Sequence, residues 1–216
     1  MDIIVAKDIL KVNDQLADAN RRRLQEAGVL AVNVMSSPGA GKTTLLEALA
    51  GRFRGRLRLG VVEGDLATAR DAERLVAVGL PTIQINTGGG CHLDAGMVRS
   101  ALDGLDLEAL DLLFIENVGN LVCPSSYRLG ESRRLVLLSV PEGDDKVAKY
   151  PPMFRGVDAL VLTKTDLLPH LKFDQPRVTS EFRTLSPEAP VFPVSSTTGE
   201  GLDALVDWLL KLPGPK

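Results

Sequence analysis

The stretch Ser36–Leu46, "SSPGAGKTTLL", decides how the rest of the chain is read. It follows a short apolar run of β type, "VLAVNVM" (29–35), and leads into "KTTLLEALAGRF" (42–53), which reads as a helix. A glycine-rich turn that ends in Gly41-Lys42-Thr43 between a strand and a helix has the form of a phosphate loop. Around Gly39, Ala40 and Gly41 the glycines let successive backbone N–H groups turn inward on phosphate oxygens. The helix that starts here adds the positive end of its dipole. Lys42 is expected to reach the β- and γ-phosphates, the Thr43 hydroxyl to bind Mg²⁺, and Thr44 to complete the nucleotide-binding turn. Ser36 stands where the motif has its usual first glycine.

Outward from this turn the chain alternates. Strand-like runs are "LRLGVVEGD", "PTIQIN", "LDLLFIEN", "RLVLLSV", "VDALVLTKTD" and "APVFPVSS"; helical runs are "ARDAERLVAVG", "LDAGMVRSALDGL" and the closing "EGLDALVDWLLKL". Several strands are nearly continuous hydrophobic runs, as in a sheet buried on both faces. The fold class expected is α/β: a mostly parallel sheet with helices on both faces, of the P-loop NTPase type. One domain is expected over residues 1–216. A helix over 8–27, with Ile9, Val12, Leu16 and Ala19 on its apolar side and Gly28 as its stop, precedes the first strand.

The bulk numbers exclude several classes. The chain has 216 residues, 44% of them hydrophobic, and a formal net charge of −3, which gives no general pull toward nucleic acid or an anionic membrane. No apolar run reaches the ~18 residues of a membrane span. The first residues, "MDIIVAKDIL", lack the basic and apolar regions of a secretory signal. Two cysteines 32 positions apart make no disulfide framework. A cytoplasmic protein is expected, with no nucleic-acid or membrane partner.

In a parallel sheet, ligands bind beyond the carboxyl ends of the strands, so the polar residues there carry the chemistry. Asp65 ends "VVEGD" and Glu116 ends "LLFIE"; both are expected at the magnesium ion with Thr43. Glu116-Asn117-Val118-Gly119 reads as a D-x-x-G motif with glutamate first, whose Gly119 N–H would sense the γ-phosphate. Lys42, Asp65, Glu116 and Gly119 form the expected catalytic set. Thr163-Lys164-Thr165-Asp166 looks like the N-K-x-D motif for guanine. The Asp166 carboxylate would accept two hydrogen bonds from guanine that adenine cannot give, and the Lys164 stem would pack on the base. Thr163 replaces the asparagine, so a hydrogen bond behind the base is expected to be lost. "VSSTTGEG" (194–201) resembles the fifth GTPase motif, with a backbone N–H near Ser195 or Ser196 meeting the guanine oxygen. GTP is favoured over ATP.

A separate signal sits in "TGGGCHLDAG" (87–96). Cys91 and His92 follow three glycines, and Cys123 lies just after Gly119. Thiolate and neutral imidazole suit zinc and nickel. The loops after the strands at 82–86 and 111–115 can be neighbours in a parallel sheet, which would bring Cys91, His92 and Cys123 together. Three ligands leave a fourth position to water or a second subunit. The plain alternative is that both cysteines are small buried hydrophobes.

These residues closely resemble one family, the hydrogenase nickel-incorporation accessory GTPase HypB. The resemblance covers nearly the whole chain and rests on "NVMSSPGAGKTTLL", "EGDLATARDAERL", "INTGGGCHLDAGMV", "FIENVGNLVCPSSYRLGE", "SVPEGDDKVAKYPPMF" and "TKTDLLP". It implies a dimerising GTPase that uses GTP/GDP and Mg²⁺, with nickel or zinc at Cys91, His92 and Cys123 in the dimer interface. It also implies a GTP-favoured homodimer, a small zinc-containing nickel chaperone as partner, and delivery of nickel to the hydrogenase large-subunit precursor. The chain shows neither the N-terminal cysteine motif nor the histidine-rich stretch of many members. Gly96 stands where the family often has a histidine, so no accessory ligand is expected there.

Other features are read as plain structure. Arg52, Arg54, Arg56 and Arg58 are read as a solvated face and His170 as a surface residue. Lys146 and Lys149 are instead read as able to reach across a dimer toward the nucleotide. No glutamine or arginine finger is evident, so slow turnover is expected. Two alternatives stay open. One is an accessory GTPase for urease or a cobalamin-dependent mutase, although the urease type would show Cys-Pro-His. The other is a nucleotide-gated zinc-binding protein without physiological hydrolysis.

Overall fold

The computed structural model describes residues 2–66 and 68–214, with side chains from Leu10 onward. Apolar runs form seven strands: β1 (Leu30–Met35), β2 (Leu59–Asp65), β3 (Thr82–Asn86), β4 (Leu112–Glu116), β5 (Arg133–Ser139), β6 (Ala159–Thr163) and β7 (Val191–Pro193). Every neighbouring pair is parallel, in the order β3-β2-β4-β1-β5-β6-β7. β1, β4 and β6 are buried at every residue, as strands covered on both faces must be. From β1 in the middle the sheet goes to β2 and β3 on one side, returns to insert β4 between β2 and β1, and then adds β5, β6 and β7 on the other side. Order therefore reverses beside β1, and the crevice at its carboxyl end is where such sheets bind ligands.

The helices are α1 (Asp2–Glu26), α2 (Lys42–Phe53), α3 (Arg70–Ala77), α4 (Ala95–Leu102), α5 (Lys146–Lys149), α6 (Pro151–Phe154), α7 (Gln175–Leu185) and α8 (Leu202–Lys211). α2, α3 and α8 cover one face through Leu45, Leu49, Leu75 and Leu205. α1 and α4 cover half of the other through Leu24, Val98 and Leu102. α5, α6 and α7 cover the rest through Val147, Phe154 and Phe182. The expected doubly covered parallel sheet is what forms, and α2 runs over the residues expected, 42–53. α7 has no counterpart in the sequence reading. It buries only Val178 and Phe182 and starts at an Asp174 cap with a proline in its first turn, so its apolar stripe is too sparse to announce a period.

α1 corrects the sequence reading in a second way. Its buried positions are Asn13, Ala17, Asn20 and Leu24, while Val12 is 56% exposed; Ile9 lies outside the described side chains. Two asparagines on the inner face hold the helix by hydrogen bonds that apolar periodicity does not register. Asn13 Nδ2 donates to Arg128 O (2.9 Å) and its Oδ1 accepts from Ala95 N (2.9 Å). Asn20 Nδ2 donates to Ala95 O (2.8 Å) and Leu129 O (2.9 Å). Three of the four arginines at 52–58 pair with Asp203, Asp207 and Asp111, as a solvated face would.

The Asn20→Ala substitution strands the buried Leu129 carbonyl and removes a second bond to that of Ala95, and is expected to cost about 1–3 kcal/mol. Val12→Ser on the same helix should change stability by less than about 0.5 kcal/mol. Urea unfolding of both variants checks the assignment of the buried face.

Candidate functional site

The phosphate loop leaves β1 and turns on Gly39 and Gly41, with φ of 75° and 95°, into the first turn of α2. Lys42 Nζ donates to Ser36 Oγ (3.3 Å) and the Thr43 hydroxyl to Glu116 Oε1 (2.8 Å). From the far side, Glu142 accepts from Ser37 Oγ and from the backbone and hydroxyl of Ser139, which braces the loop against the end of β5. Gly119 lies directly on the loop: a Cβ there would sit 2.8 Å from Pro38 Cα. Asp65 ends β2 as expected, but both its oxygens are already taken. Oδ1 accepts from Leu66 N, and Oδ2 from Thr68 N and Thr68 Oγ1. Burial works against its charge, yet these bonds and Lys42 hold its carboxyl below the usual range.

A cavity of about 280 Å³ opens beside this loop, lined by Ala40, Gly41, Thr44, Lys164, Asp166 and Ser196, among others. Lys164 takes a left-handed backbone (φ 59°) at the end of β6, and its Nζ donates to Gly39 O (2.8 Å). A non-glycine residue held there costs on the order of 1–3 kcal/mol, and surrounding contacts must fix it. Thr163 supplies one: its hydroxyl donates to Ala40 O (2.7 Å). The tie between base motif and phosphate loop that the missing asparagine would have made is therefore present. Ser195 does not line the cavity. It is fully buried, its N–H donates to Glu200 O (3.0 Å), and its hydroxyl accepts from Thr198 N. Its part is to shape the loop that presents Ser196.

Cys91, His92 and Cys123 do meet: one ligand atom from each lies within 4.8 Å of the others. The Cys91 and Cys123 sulfurs are 2.9 Å apart, and Cys91 Sγ is 3.5 Å from His92 Nδ1. Both cysteines are free. Metal–ligand bonds of about 2.0–2.3 Å can span this set. The His92 ring stacks on Tyr127 with centroids 3.9 Å apart. Burial lowers the imidazole's pKa, despite Asp94 nearby, which favours the neutral, ligating form. The Cys91 thiol beside Cys123 raises the latter's pKa.

The route by which the ligands meet differs from the expected one. β3 and β4 are not neighbours, since β2 lies between them. The 87–94 loop instead crosses over the end of β2. Gly64 makes room: a Cβ there would stand 2.7 Å from Leu93 Cδ2. Asn117, fully buried, then fastens the loop, its Oδ1 accepting from Leu93 N (3.1 Å) and Val118 N (3.0 Å) while its Nδ2 donates to Asn33 Oδ1 (3.2 Å). Asn120 joins the two sites. Its N–H donates to Ser36 O in the phosphate loop (2.7 Å), and its Oδ1 accepts from Val122 N (2.6 Å) and Cys123 N (3.1 Å).

Glu63 escaped the sequence reading. It pairs in register with Glu116 on the neighbouring strand and is 2% exposed. The available signal was an acid set inside the apolar run "VVEGD". Burial, with Glu116 close by, pushes Glu63 up to about 8; burial pushes Glu116 up to about 7, against the pull of Lys42 and the Thr43 hydroxyl. The folded state thus keeps protons that the unfolded chain has released above about pH 4.5. Stability of the nucleotide-free protein is expected to fall as pH rises from about 5 to 8 and then level off, with a small opposing contribution from His92. Melting temperature followed across that range checks the sign, and Glu63→Gln should flatten the slope.

Comparison with known proteins agrees with this architecture. The CobW/HypB/UreG nucleotide-binding domain family matches residues 30–193. The hydrogenase maturation factor HypB of Rhizobium leguminosarum bv. viciae is 49% identical over 207 residues, covering 96% of this chain and 69% of that protein. The hydrogenase/urease maturation factor HypB of Helicobacter pylori strain J99 is 48% identical over 214 residues, covering 97% of this chain and 88% of its own. The crystal structure of Helicobacter pylori HypB in complex with nickel superposes with a TM-score of 0.88 at 48% identity, over 92% of this chain and 94% of that one. With its phosphate loop, its E-x-x-G turn and its Cys-His-Cys cluster tied together through Asn117 and Asn120, the chain belongs to the HypB family of hydrogenase maturation factors, within the CobW/HypB/UreG nucleotide-binding group.

Proposed function

We propose that this protein is a GTP-hydrolysing metallochaperone that delivers nickel during [NiFe]-hydrogenase maturation, with its nucleotide state coupled to the Cys91-His92-Cys123 site. The observation that carries the reading is Asn120, whose amide rests on the phosphate loop and whose side chain holds the Cys123 N–H. A shift of the Val118–Asn120 turn on γ-phosphate loss would move a ligand of the metal directly. Soft sulfur and imidazole donors with a fourth position open suit a nickel ion that is carried and passed on.

Guanine is read by Asp166 and the phosphates by Lys42 and residues 39–44. The donor set at their end, the Thr43 hydroxyl and the buried Glu116 carboxylate with one unpartnered oxygen, fits Mg²⁺. When bound, that ion would neutralise the charge that builds between the β- and γ-phosphates. Cys91, His92 and Cys123 are half-buried, and Val122 beside Cys123 is exposed. That supports a GTP-favoured homodimer sharing the site. Transfer from a small zinc-containing nickel chaperone and onward to the hydrogenase large-subunit precursor, in the cytoplasm, completes the reading. Reduced cysteines fit that compartment, and among the described residues no helix is long and apolar enough to cross a membrane.

Two outcomes test it. Nickel titration of the reduced protein with GDP and with a non-hydrolysable GTP analogue should give different affinities. Cys91→Ala should lower both by about tenfold or more, and Asn120→Ala should bind nickel but erase the difference between nucleotides. Equal affinities in the wild type would remove the coupling. Asp166→Asn, which replaces an acceptor by a donor at the base, should weaken GTP binding by about 10–100-fold and improve relative binding of xanthosine triphosphate, as competition assays would read.

A further inference from the structure

We propose that Glu63 is a second carboxylate of the divalent-cation site, facing the ion beside Glu116. The inference rests on the nucleotide reading above and adds to it a residue outside the phosphate-loop and E-x-x-G motifs.

Parallel neighbours in register project their side chains to the same face. Leu59, Val61 and Glu63 of β2 and Leu112, Phe114 and Glu116 of β4 alternate onto one face, paired as Leu59–Leu112, Val61–Phe114 and Glu63–Glu116. The first two pairs, Leu59–Leu112 and Val61–Phe114, are packed in the core beneath α2. The third pair emerges at the carboxyl end, where Thr43 begins that helix and hydrogen-bonds Glu116. Two carboxylates thus end the column under the phosphate loop, 2% and 3% exposed, and each has an Oε2 that is buried with no hydrogen-bond partner.

A buried carboxylate without a donor is costly unless a proton or a cation meets it. Lys42 is the cation whose charge acts on both acids, but its ammonium is the group that a bound nucleotide's phosphates would claim. The pair is then left with two unmet oxygens and, apart from Arg74 acting on Glu116, no resident counter-charge. A divalent cation with hard oxygen preference supplies both, since Mg²⁺ takes one or two carboxylates together with phosphate oxygens and water. Asp65 is placed less well for this duty: its own loop already occupies both its oxygens.

The test is fluorescent-GDP binding to wild type and Glu63→Gln, with Mg²⁺ and with a chelator, alongside Mn²⁺ affinity of the GDP complex by electron paramagnetic resonance. Glu63→Gln should match wild type within twofold in chelator, and should lose about tenfold of the gain that Mg²⁺ brings and about tenfold in Mn²⁺ affinity. Glu63→Ala serves as a second variant should the glutamine protein fail to fold. A variant with altered melting temperature and wild-type Mg²⁺ and Mn²⁺ dependence would mean that Glu63 is structural, and would overturn this inference alone. Wild-type protein that binds no guanine nucleotide would overturn the nucleotide reading and this inference together.

Discussion

The crossing of the 87–94 loop over the end of β2 is the contact on which the rest of the site depends. Strands β3 and β4 are separated, so residues that follow them cannot meet without it. The crossing needs Gly64 bare where Leu93 passes, and a donor and acceptor inside the core where the loop lands. Asn117 supplies the latter at the end of β4, one residue from Glu116 and three from Cys123's anchor, Asn120. A single buried amide therefore fixes the Cys-His loop to the strand that carries Glu116.

Buried polar groups elsewhere in the fold follow the same logic. Thr163 reaches Ala40, Glu142 reaches Ser37 and Ser139, and Asn13 and Asn20 reach the segments that flank the cysteines. Partnered polar groups in a low-dielectric interior permit one arrangement and penalise others. Glu63 and Glu116 depart from this, each with a buried Oε2 left unmet, as do Asn33 through its Nδ2 and Glu181 through its Oε2. The position of Glu63 and Glu116 under the phosphate loop turns that local cost into a place for a cation.

The sheet, its parallel sense and the phosphate loop were legible in the sequence because each rests on short-range pattern: apolar runs such as "VLAVNVM" and a glycine turn before "KTT". The expected site residues that the structure places together are those set by local sequence: Lys42 at the phosphate loop, Asp166 on the cavity wall and the adjacent Cys91 and His92. What escaped depends on tertiary contact. Asparagines at 13, 20 and 117 look like loop or surface residues until partners 24 to 115 positions away are in place, and Asn120 gains its meaning only when its N–H meets Ser36 O. α7 hid because only two of its residues are buried. Ser195 was read as a base contact, but Glu200 takes its N–H in a turn that no residue type announces.

The asparagines share one property with a wider consequence. Asn13 and Asn20 address main-chain groups of Ala95, Arg128 and Leu129; Asn117 takes main-chain N–H groups of Leu93 and Val118; Asn120 takes those of Val122 and Cys123. None of these bonds reads the side chains at positions 91, 92 or 123. The frame that brings the ligands together is thus indifferent to what the ligands are. In such a fold one thiol or imidazole can be exchanged while the main-chain bonds that run from the cluster to the phosphate loop are kept.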